Sequence, residues 1–556
     1  MLHRLVCQNY RTLKEFTVEL SPLTVLVGPN GAGKSTVIDA IDFLLGERWP
    51  SIGNLAVPGD FTGLDHSQSL LVQAWFEPSL TYEDAKRDTH EIGAIEFRCQ
   101  PYVRRTGNRV PGDLRDMYHP LSPDGQPVTV CTSPPRQGSK PTFAPLTTVN
   151  SGLREQAKVL TIKVSRTVAG QLPGRRGSIL AKLLSEARGS YLRNDAGERT
   201  SFSEQYARAV DALRTDAVRE VEGTVQDTAR QMLGFQGASS DLSIEFGFAD
   251  PANPYSALRL MCRQQGMLLP AEALGAGEQS AIVVGLFEAF RRIGTSLETI
   301  LVEEPEMYLH PQAQRYFKRL LQNLVDNRQA QIIMSTHSTT FADMTSFSSV
   351  RLFRKNSSGV SSVASVTQAD DIAFLAEQIE REKLSQYIDA QTGEVVFANG
   401  VLLVEGHGDR LAAVTVAKQL SLDLDAEGLS ILPCGGKSAI PFFAKLCRAL
   451  NIPAVVLHDS DQYTGTDLAQ WQQQENAKAS VQNAAIRAAA GEGIAIFKVE
   501  PTLEASLGVG RNASDKPRRV LQAVQGSQLT DLPNALVEAV QALAGLRGSD
   551  STVFAR

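Results

Sequence analysis

The sequence predicts an α/β protein built from two successive, mostly parallel sheets, and three stretches carry that expectation. VLVGPNGAGKSTVIDAIDFLL runs an apolar strand through a glycine loop into a helix. TILVEEPEMYLHP and QIIMSTHS bracket a helical segment and continue the strand–helix–strand rhythm. Far downstream, VLLVEGHGD and PAVVLHDSDQ open a second series of the same kind.

The elements follow in order. LHRLVCQNY, FTVEL, LTVLVG and LLVQAWFE read as strands of the first 80 residues, with a helix from Lys34. Between about 85 and 150 the text is rich in Pro, Gly, Ser and Thr. SPDGQPVTVCTSPPRQGSKPT excludes a helix there and implies loops joining short strands. VLTIKV (159–164) is a strand, and from Ser178 to about Leu233 apolar residues recur at helical spacing, predicting two or more amphipathic helices. LSIEFGF, a long helix through SAIVVGLFEAFRRI, the strand TILVEE, a helix from HPQAQ and the strand QIIMSTHS complete the first half. A serine-rich junction, RKNSSGVSSVAS, and a charged helix, FLAEQIEREKLSQYI, place a boundary between 345 and 398, before the second series begins at Val401.

A chain of 556 residues is too long for one core, so two or three domains are expected. The net charge of -6 argues against broad electrostatic coating of DNA, while leaving room for a local basic groove. The six cysteines are scattered without a CxxC pair, which points away from zinc and from a disulfide framework. MLHRLVCQNYRTL lacks the apolar core of a signal peptide, and no apolar run reaches membrane-spanning length, so a reduced, cytoplasmic protein is expected.

Gly28-Pro29-Asn30-Gly31-Ala32-Gly33-Lys34-Ser35-Thr36 fits GxxxxGK[ST] between a strand and a helix. Backbone N–H groups must converge on phosphates there, so glycines permit close approach. The helix N-terminus adds favourable field, Lys34 reaches the β/γ oxygens and Ser35 coordinates Mg²⁺. TILVEE delivers Glu303 and Glu304 at a strand's carboxyl end, where one acid can support the Mg²⁺ and the other orient an attacking water.

These motifs, with LGAGEQS (274–280), LVEEPE (301–306) and STHS (335–338), resemble the ATP-binding-cassette (ABC-type) ATPases of the SMC and RecF type over most of residues 1–345. The resemblance implies that the signature of one protomer closes over ATP held by another, roles that fall on Gly275, Gly277 and Glu278. It also implies that His337 senses the γ-phosphate. Gly275 stands where that family usually has serine, and Glu303 where it usually has aspartate. A glutamine that senses Mg²⁺ is expected among Gln73, Gln100 and Gln171.

In the second series, VLLVEG puts Glu405 at a strand end, and Asp409 follows where the next helix begins. HDSDQ ends another strand with Asp459 and Asp461, and a spacing of two along extended chain would aim both carboxylates the same way. A third acidic pair, Glu500 and Glu504, follows AIFKVE. Three strand ends would thus bring carboxylates to one sheet edge. Such a group repels itself unless cations neutralise it, and all-oxygen ligands suit Mg²⁺ or Mn²⁺. Two such ions roughly 4 Å apart can activate water and stabilise the leaving oxygen of a phosphodiester.

The order E-G-x-x-[acid], then H-D-x-D, resembles a Toprim domain over about 400–510, with Asp409 in a place often held by glutamate. That resemblance casts Glu405 as general acid/base and Asp459 and Asp461 as metal ligands. An ABC-type ATPase followed by a Rossmann-like Toprim domain resembles the OLD (overcoming lysogenization defect) family of nucleases, and FANGVLLVEGHGD, LPCGGKSAI, HDSDQ and PTLEASL resemble its segments. The resemblance implies ATP as cofactor, DNA as substrate, a homodimer or higher homo-oligomer, and for some members a helicase partner or a role in phage defence. It implies a helical dimerisation insert at 175–240 within an ATPase of 1–174 and 241–345, then a linker at 346–398 and the Toprim domain at 399–556. A lysine beyond the acids contacts phosphate in such nucleases. Lys516 in ASDKPRR is the candidate, and Lys437 in GGKS is a similar one.

The rival from another class is a recombination ATPase whose C-terminal half only binds DNA or a partner. The complete acid set separates them, since a pure binding module does not need it. A topoisomerase would need a tyrosine nucleophile. Tyr463 follows the D-x-D pair, yet no separate cleavage domain accompanies it.

Overall fold

The structure, a computed structural model, describes residues 1–46, 48–55, 59–102, 110, 112–133, 140–157, 159–163, 215–233, 243–248, 258–264, 266–270, 273–293, 298–328, 330–384, 392–465, 468–510 and 515–546. Two compact units divide it: Met1–Val159 with Ser335–Arg556, and Leu160–Met334.

In the first unit, β1 (Leu2–Tyr10) and β2 (Leu13–Glu19) form a hairpin, and β3 (Leu23–Val27) leads into the glycine loop and the helix Lys34–Leu45. β4 (Leu70–Glu83), β5 (Thr89–Pro101) and β6 (Leu114–Leu121) join the hairpin in an antiparallel sheet of order β2-β1-β4-β5-β6. Among the described residues, the Pro- and Ser-rich text beyond it supplies a small hairpin, β7 (Thr129–Ser133) with β8 (Thr142–Pro145), and the short helix Ser151–Gln156.

β9 (Val159–Lys163) leads into the second unit. Of the helical insert expected at 175–240, the helix Asp216–Leu233 is described, and 175–214 and 234–240 lie outside the described residues. β10 (Ser243–Phe248), β11 (Leu258–Gln264) and β12 (Met267–Pro270) form an antiparallel sheet. The helix Ala276–Ile293, β13 (Glu298–Glu303), the helix Pro311–Asp326 and β14 (Ala330–Ser335) follow.

Returning to the first unit, β15 (Val350–Lys355) pairs parallel with β3 and antiparallel with β16 (Ser361–Ala364). The charged segment after the serine-rich junction is indeed helical, at Ala369–Arg381. β17 (Gly400–Val404), β18 (Leu429–Pro433), β19 (Ala454–Asp459) and β20 (Ala495–Val499) then form an all-parallel sheet of order β18-β17-β19-β20. Every residue of β17 is buried, as expected of a strand covered on both faces. On one face Leu402, Val404, Val455, Leu457 and Val499 pack with Ala413 and Val416 of the helix His407–Gln419 and with Leu536 and Val540 of the helix Asn534–Gly545. The helix Ile440–Ala449 packs on β17 and β19.

The chain leaves β17 for β18 on one side and returns to β19 on the other. The carboxyl ends of β17 and β19 therefore flank a topological switch point, the place where parallel sheets bind ligands. All six cysteines are buried and none forms a disulfide. Among the described residues no helix is long and apolar enough to cross a membrane.

Candidate functional site

The glycine loop is shaped by backbone demands. Gly28, Gly31 and Gly33 have φ of 137°, 74° and 105°, a region that side-chain-bearing residues rarely adopt. A Cβ on Gly28 would also run into the Phe353 carbonyl, and one on Gly33 into Ser361 Oγ. Lys34 is buried and curls back, its Nζ donating to Gly28 O at 2.7 Å and Pro29 O at 2.9 Å. Asn30, Gly31 and Ser35 are exposed, and Thr36 is half-buried. The loop presents free surface where phosphates would lie. Thr336 N donates to Leu26 O of β3 at 3.1 Å, which sets the exposed His337 beside the strand that feeds this loop.

In the second unit, Glu278 caps its own helix. One carboxylate oxygen accepts from Gly275 N at 2.9 Å and the other from Gln264 Nε2 at 3.2 Å. Ser280 Oγ donates to Met307 O at 3.0 Å, tying the segment that follows Gly275 and Gly277 to the turn after β13. Glu303 ends β13, and Glu304 turns the chain with φ 47°; both are half-buried. Of the candidate glutamines, Gln73 bonds Glu96 and Trp75 within the β4–β5 sheet, Gln100 lies half-buried on β5, and Gln171 lies outside the described residues.

The acids of the C-terminal sheet gather at the switch point. Parallel pairing of Leu403 with Val456 sets Glu405, just past β17, level with the end of β19. Glu405 Oε1 accepts from Asp459 N at 2.8 Å, and Asp459 Oδ1 accepts from Leu503 N at 2.8 Å, linking the ends of β17, β19 and β20. Asp409 caps the helix His407–Gln419 through Gly406 N at 2.9 Å.

Electrostatics confirms the crowding. Burial pushes Glu405 up to about 7, and Asp409 and Asp461 add repulsion against the pull of the Asp459 amide and Lys437. Burial and then Glu504 raise Asp409 to about 6, against the Gly406 amide. Asp459 rises furthest, to about 9, through burial and then Glu405, Asp409 and Glu504, despite the Leu503 amide. Burial lowers the neighbouring His458 to about 4, so its neutral ring donates from Nδ1 to Asp459 O at 2.6 Å.

One expectation changes. The alternation expected to align Asp459 with Asp461 ends at Asp459, because Asp461 has φ 49° and its N–H donates to Pro501 O at 2.8 Å. Its carboxylate turns instead to Lys437 Nζ at 2.8 Å. Lys437, the second candidate for phosphate contact, is buried beside this carboxylate. Glu500 is exposed at the end of β20, and it is Glu504, within the short helix Leu503–Ser506, that raises Asp409 and Asp459. Lys516 begins the helix Lys516–Gln525, and Pro517 lies near Gly408, where a Cβ would stand 3.9 Å from Pro517 Cα.

Among the described residues no group of three or more His, Cys, Asp or Glu side chains stands arranged to hold a metal ion. The donor chemistry nevertheless suits a hard divalent cation: it is all carboxylate oxygen, and burial and then mutual repulsion raise acids that a bound cation would return to their charged forms. Sequence reasoning missed the Leu503 amide that anchors Asp459, since no residue type advertises a backbone donor.

A phosphate-binding loop in one sheet and an acid-lined switch point in another define a P-loop ATPase joined to a TOPRIM-type domain. An AAA ATPase domain model matches residues 1–97 and 144–342, and a model of the overcoming lysogenization defect protein-like TOPRIM domain matches 396–461. An OLD nuclease of Thermus scotoductus is 42% identical over 550 residues, covering 98% of each chain. The Old nuclease of Escherichia phage P2 is 22% identical over 483 residues, 82% of this chain and 76% of that one. The chain belongs to the OLD nuclease family.

Proposed function

We propose that the protein is an ATP-regulated, divalent-metal-dependent DNA endonuclease. The observation that carries this reading is the partly buried cluster of Glu405, Asp409 and Asp459 at the switch point, with Asp461 and Glu504 beside it. Mg²⁺ or Mn²⁺, two ions at full occupancy, would supply Lewis acidity and an activated water. Glu405, Asp409, Asp459, Asp461, Glu500 and Glu504 are the ligands. Glu405, raised toward neutrality, is placed to exchange a proton as general acid/base. Lys516, at a helix start near Gly408, contacts the DNA phosphate.

At the other end, Lys34 and the loop from Asn30 to Thr36 bind ATP, with Ser35 and Glu303 on its Mg²⁺ and Glu304 orienting water. His337 reads the γ-phosphate, and Gly275, Gly277 and Glu278 close over the nucleotide of a second protomer in a homodimer. We assign ATPase to 1–174 and 241–345, a dimerisation insert to 175–240, a linker to 346–398 and the nuclease to 399–556.

Nicking of supercoiled plasmid across Mg²⁺ and Mn²⁺, with and without ATP, tests the reading. Asp459→Ala abolishes cutting and leaves ATP binding intact; undiminished cutting by that variant would remove the catalytic assignment.

A further inference from the structure

Lys437 is a buried lysine in the middle of the acid cluster, and neither the ATPase nor the assigned acids account for it. Its side chain is 6% exposed, and its Nζ lies 2.8 Å from Asp461 Oδ2 and 2.6 Å from Asp459 O. The loop that delivers it is built for the purpose. Cys434 N donates to Val404 O and Gly436 N to Glu405 O, each at 2.8 Å, which clamps the loop to the end of β17. Gly435 and Gly436, with φ of 85° and 138°, then swing the chain across toward β19.

The other acids are held differently. Glu405, Asp409 and Asp459 each accept from a backbone amide, which supplies no net charge. Asp461, by contrast, is paired with a full positive charge. The ammonium is held by one carboxylate oxygen and one carbonyl oxygen. The Asp459 carbonyl is itself polarised from two sides, because His458 Nδ1 donates to it as well.

We infer that Lys437 is a resident cation that neutralises Asp461 and thereby sets how many divalent ions the cluster takes. The first ion enters among Glu405, Asp409, Asp459 and Glu504, where the amides that hold the first three bring no net charge. A second ion needs the Asp461 carboxylate and must displace the ammonium from it. This rests on the metal-dependent reading above and adds to it an ordered, lysine-gated loading of the site. Lys437 is a positioning residue in this scheme: it acts through Asp461.

The test is Mn²⁺ binding to the full-length protein without nucleotide, followed by electron paramagnetic resonance of free Mn²⁺. The wild type binds one ion tightly and a second at least about tenfold more weakly, because a charge within ion-pair distance is worth that much even in a polar interior. Lys437→Met and Lys437→Gln bring the second affinity close to the first, whereas Lys437→Arg, which keeps the charge, keeps the two-step isotherm. Retained ATP binding verifies that each variant is folded. Two equally tight ions in the wild type would overturn the inference, as would neutral variants whose isotherm matches the wild type. Asp459→Asn is the companion arm: it removes the tight ion. If it does so while the lysine variants change nothing, the gate fails and the nuclease reading stands; if the tight ion survives it, both fail.

Discussion

The imidazole of His337 stacks on the phenyl ring of Phe397, with centroids 6.5 Å apart and planes 26° from parallel. Close by, Gly393 packs so tightly on Thr339 that an added Cβ would stand 2.9 Å from Thr339 Cβ. Phe397 lies three residues before Gly400, the first residue of β17, and Glu405 follows the last. A loop beside the nucleotide strand therefore packs directly on the segment that leads to the acid cluster. Phe397→Ala is expected to leave ATP binding intact and to shrink the effect of ATP on nicking by about fivefold or more, the usual scale of a coupling free energy. The ratio of nicking rates with and without ATP reads this, and an unchanged ratio would show that coupling runs elsewhere.

The raised acids give a signed dependence on pH. Glu405, Asp409 and Asp459 titrate near 7, 6 and 9 in the folded chain, above the ~4 of an unfolded carboxylate. Their protonated forms favour folding, so this contribution is complete below about pH 4 and is lost as the pH rises through the folded values. Without metal, repulsion at the switch point grows across that window, and a bound divalent cation removes it. The rise in Tm on adding Mn²⁺ is therefore expected to be larger at pH 8.5 than at pH 6. Thermal melts in chelator and in Mn²⁺ measure it, and Asp459→Asn should flatten the trend.

The parts of this arrangement legible in the sequence are those in which a residue type meets a demand of the backbone. Gly28 and Gly33 occupy left-handed positions hard against neighbouring atoms, so the glycine loop announces itself. Apolar runs ending in Glu405 and Asp459 declare buried parallel strands and the edge where they stop. What the text concealed depends on tertiary partners. Nothing local says that Lys437 turns inward to Asp461, that the Leu503 amide holds Asp459, or that Phe397 meets His337. The D-x-D spacing misled because alternation holds only while the chain stays extended, and Asp461 has already left that conformation.

Lys34→Ala separates the two halves. Its Nζ lies against the carbonyls of Gly28 and Pro29 in the glycine loop and has no part in the acid cluster. The variant is expected to lose ATP binding while metal-only nicking persists at its basal rate. Fluorescent-nucleotide binding and plasmid nicking, run on the same preparation, check both halves. Loss of basal nicking in a folded variant would mean that nucleotide is needed to assemble the nuclease site itself.

The segment expected to be a linker carries an ion pair into the C-terminal sheet. Asp371, in the helix Ala369–Arg381, meets Lys445 Nζ of the helix Ile440–Ala449 at 2.5 Å, with the two side chains 18% and 16% exposed. At that burial the stranded partner matters more than the lost attraction. Removing one member leaves an uncompensated charge at a cost of about 3 kcal/mol, while replacing both with apolar groups is close to neutral. Lys445→Met alone should therefore lower the Tm, and Asp371→Leu with Lys445→Met should recover most of the loss. Gln378 is also buried in the first of these helices, and Arg354 Nη2 donates to Ala398 O at 2.9 Å just ahead of β17. These contacts form a brace: they pack the helix Ala369–Arg381 onto the helix Ile440–Ala449 and tie Ala398 to β15. If the double variant melts no higher than the single one, packing rather than charge pairing holds this brace, and the recovery argument is wrong.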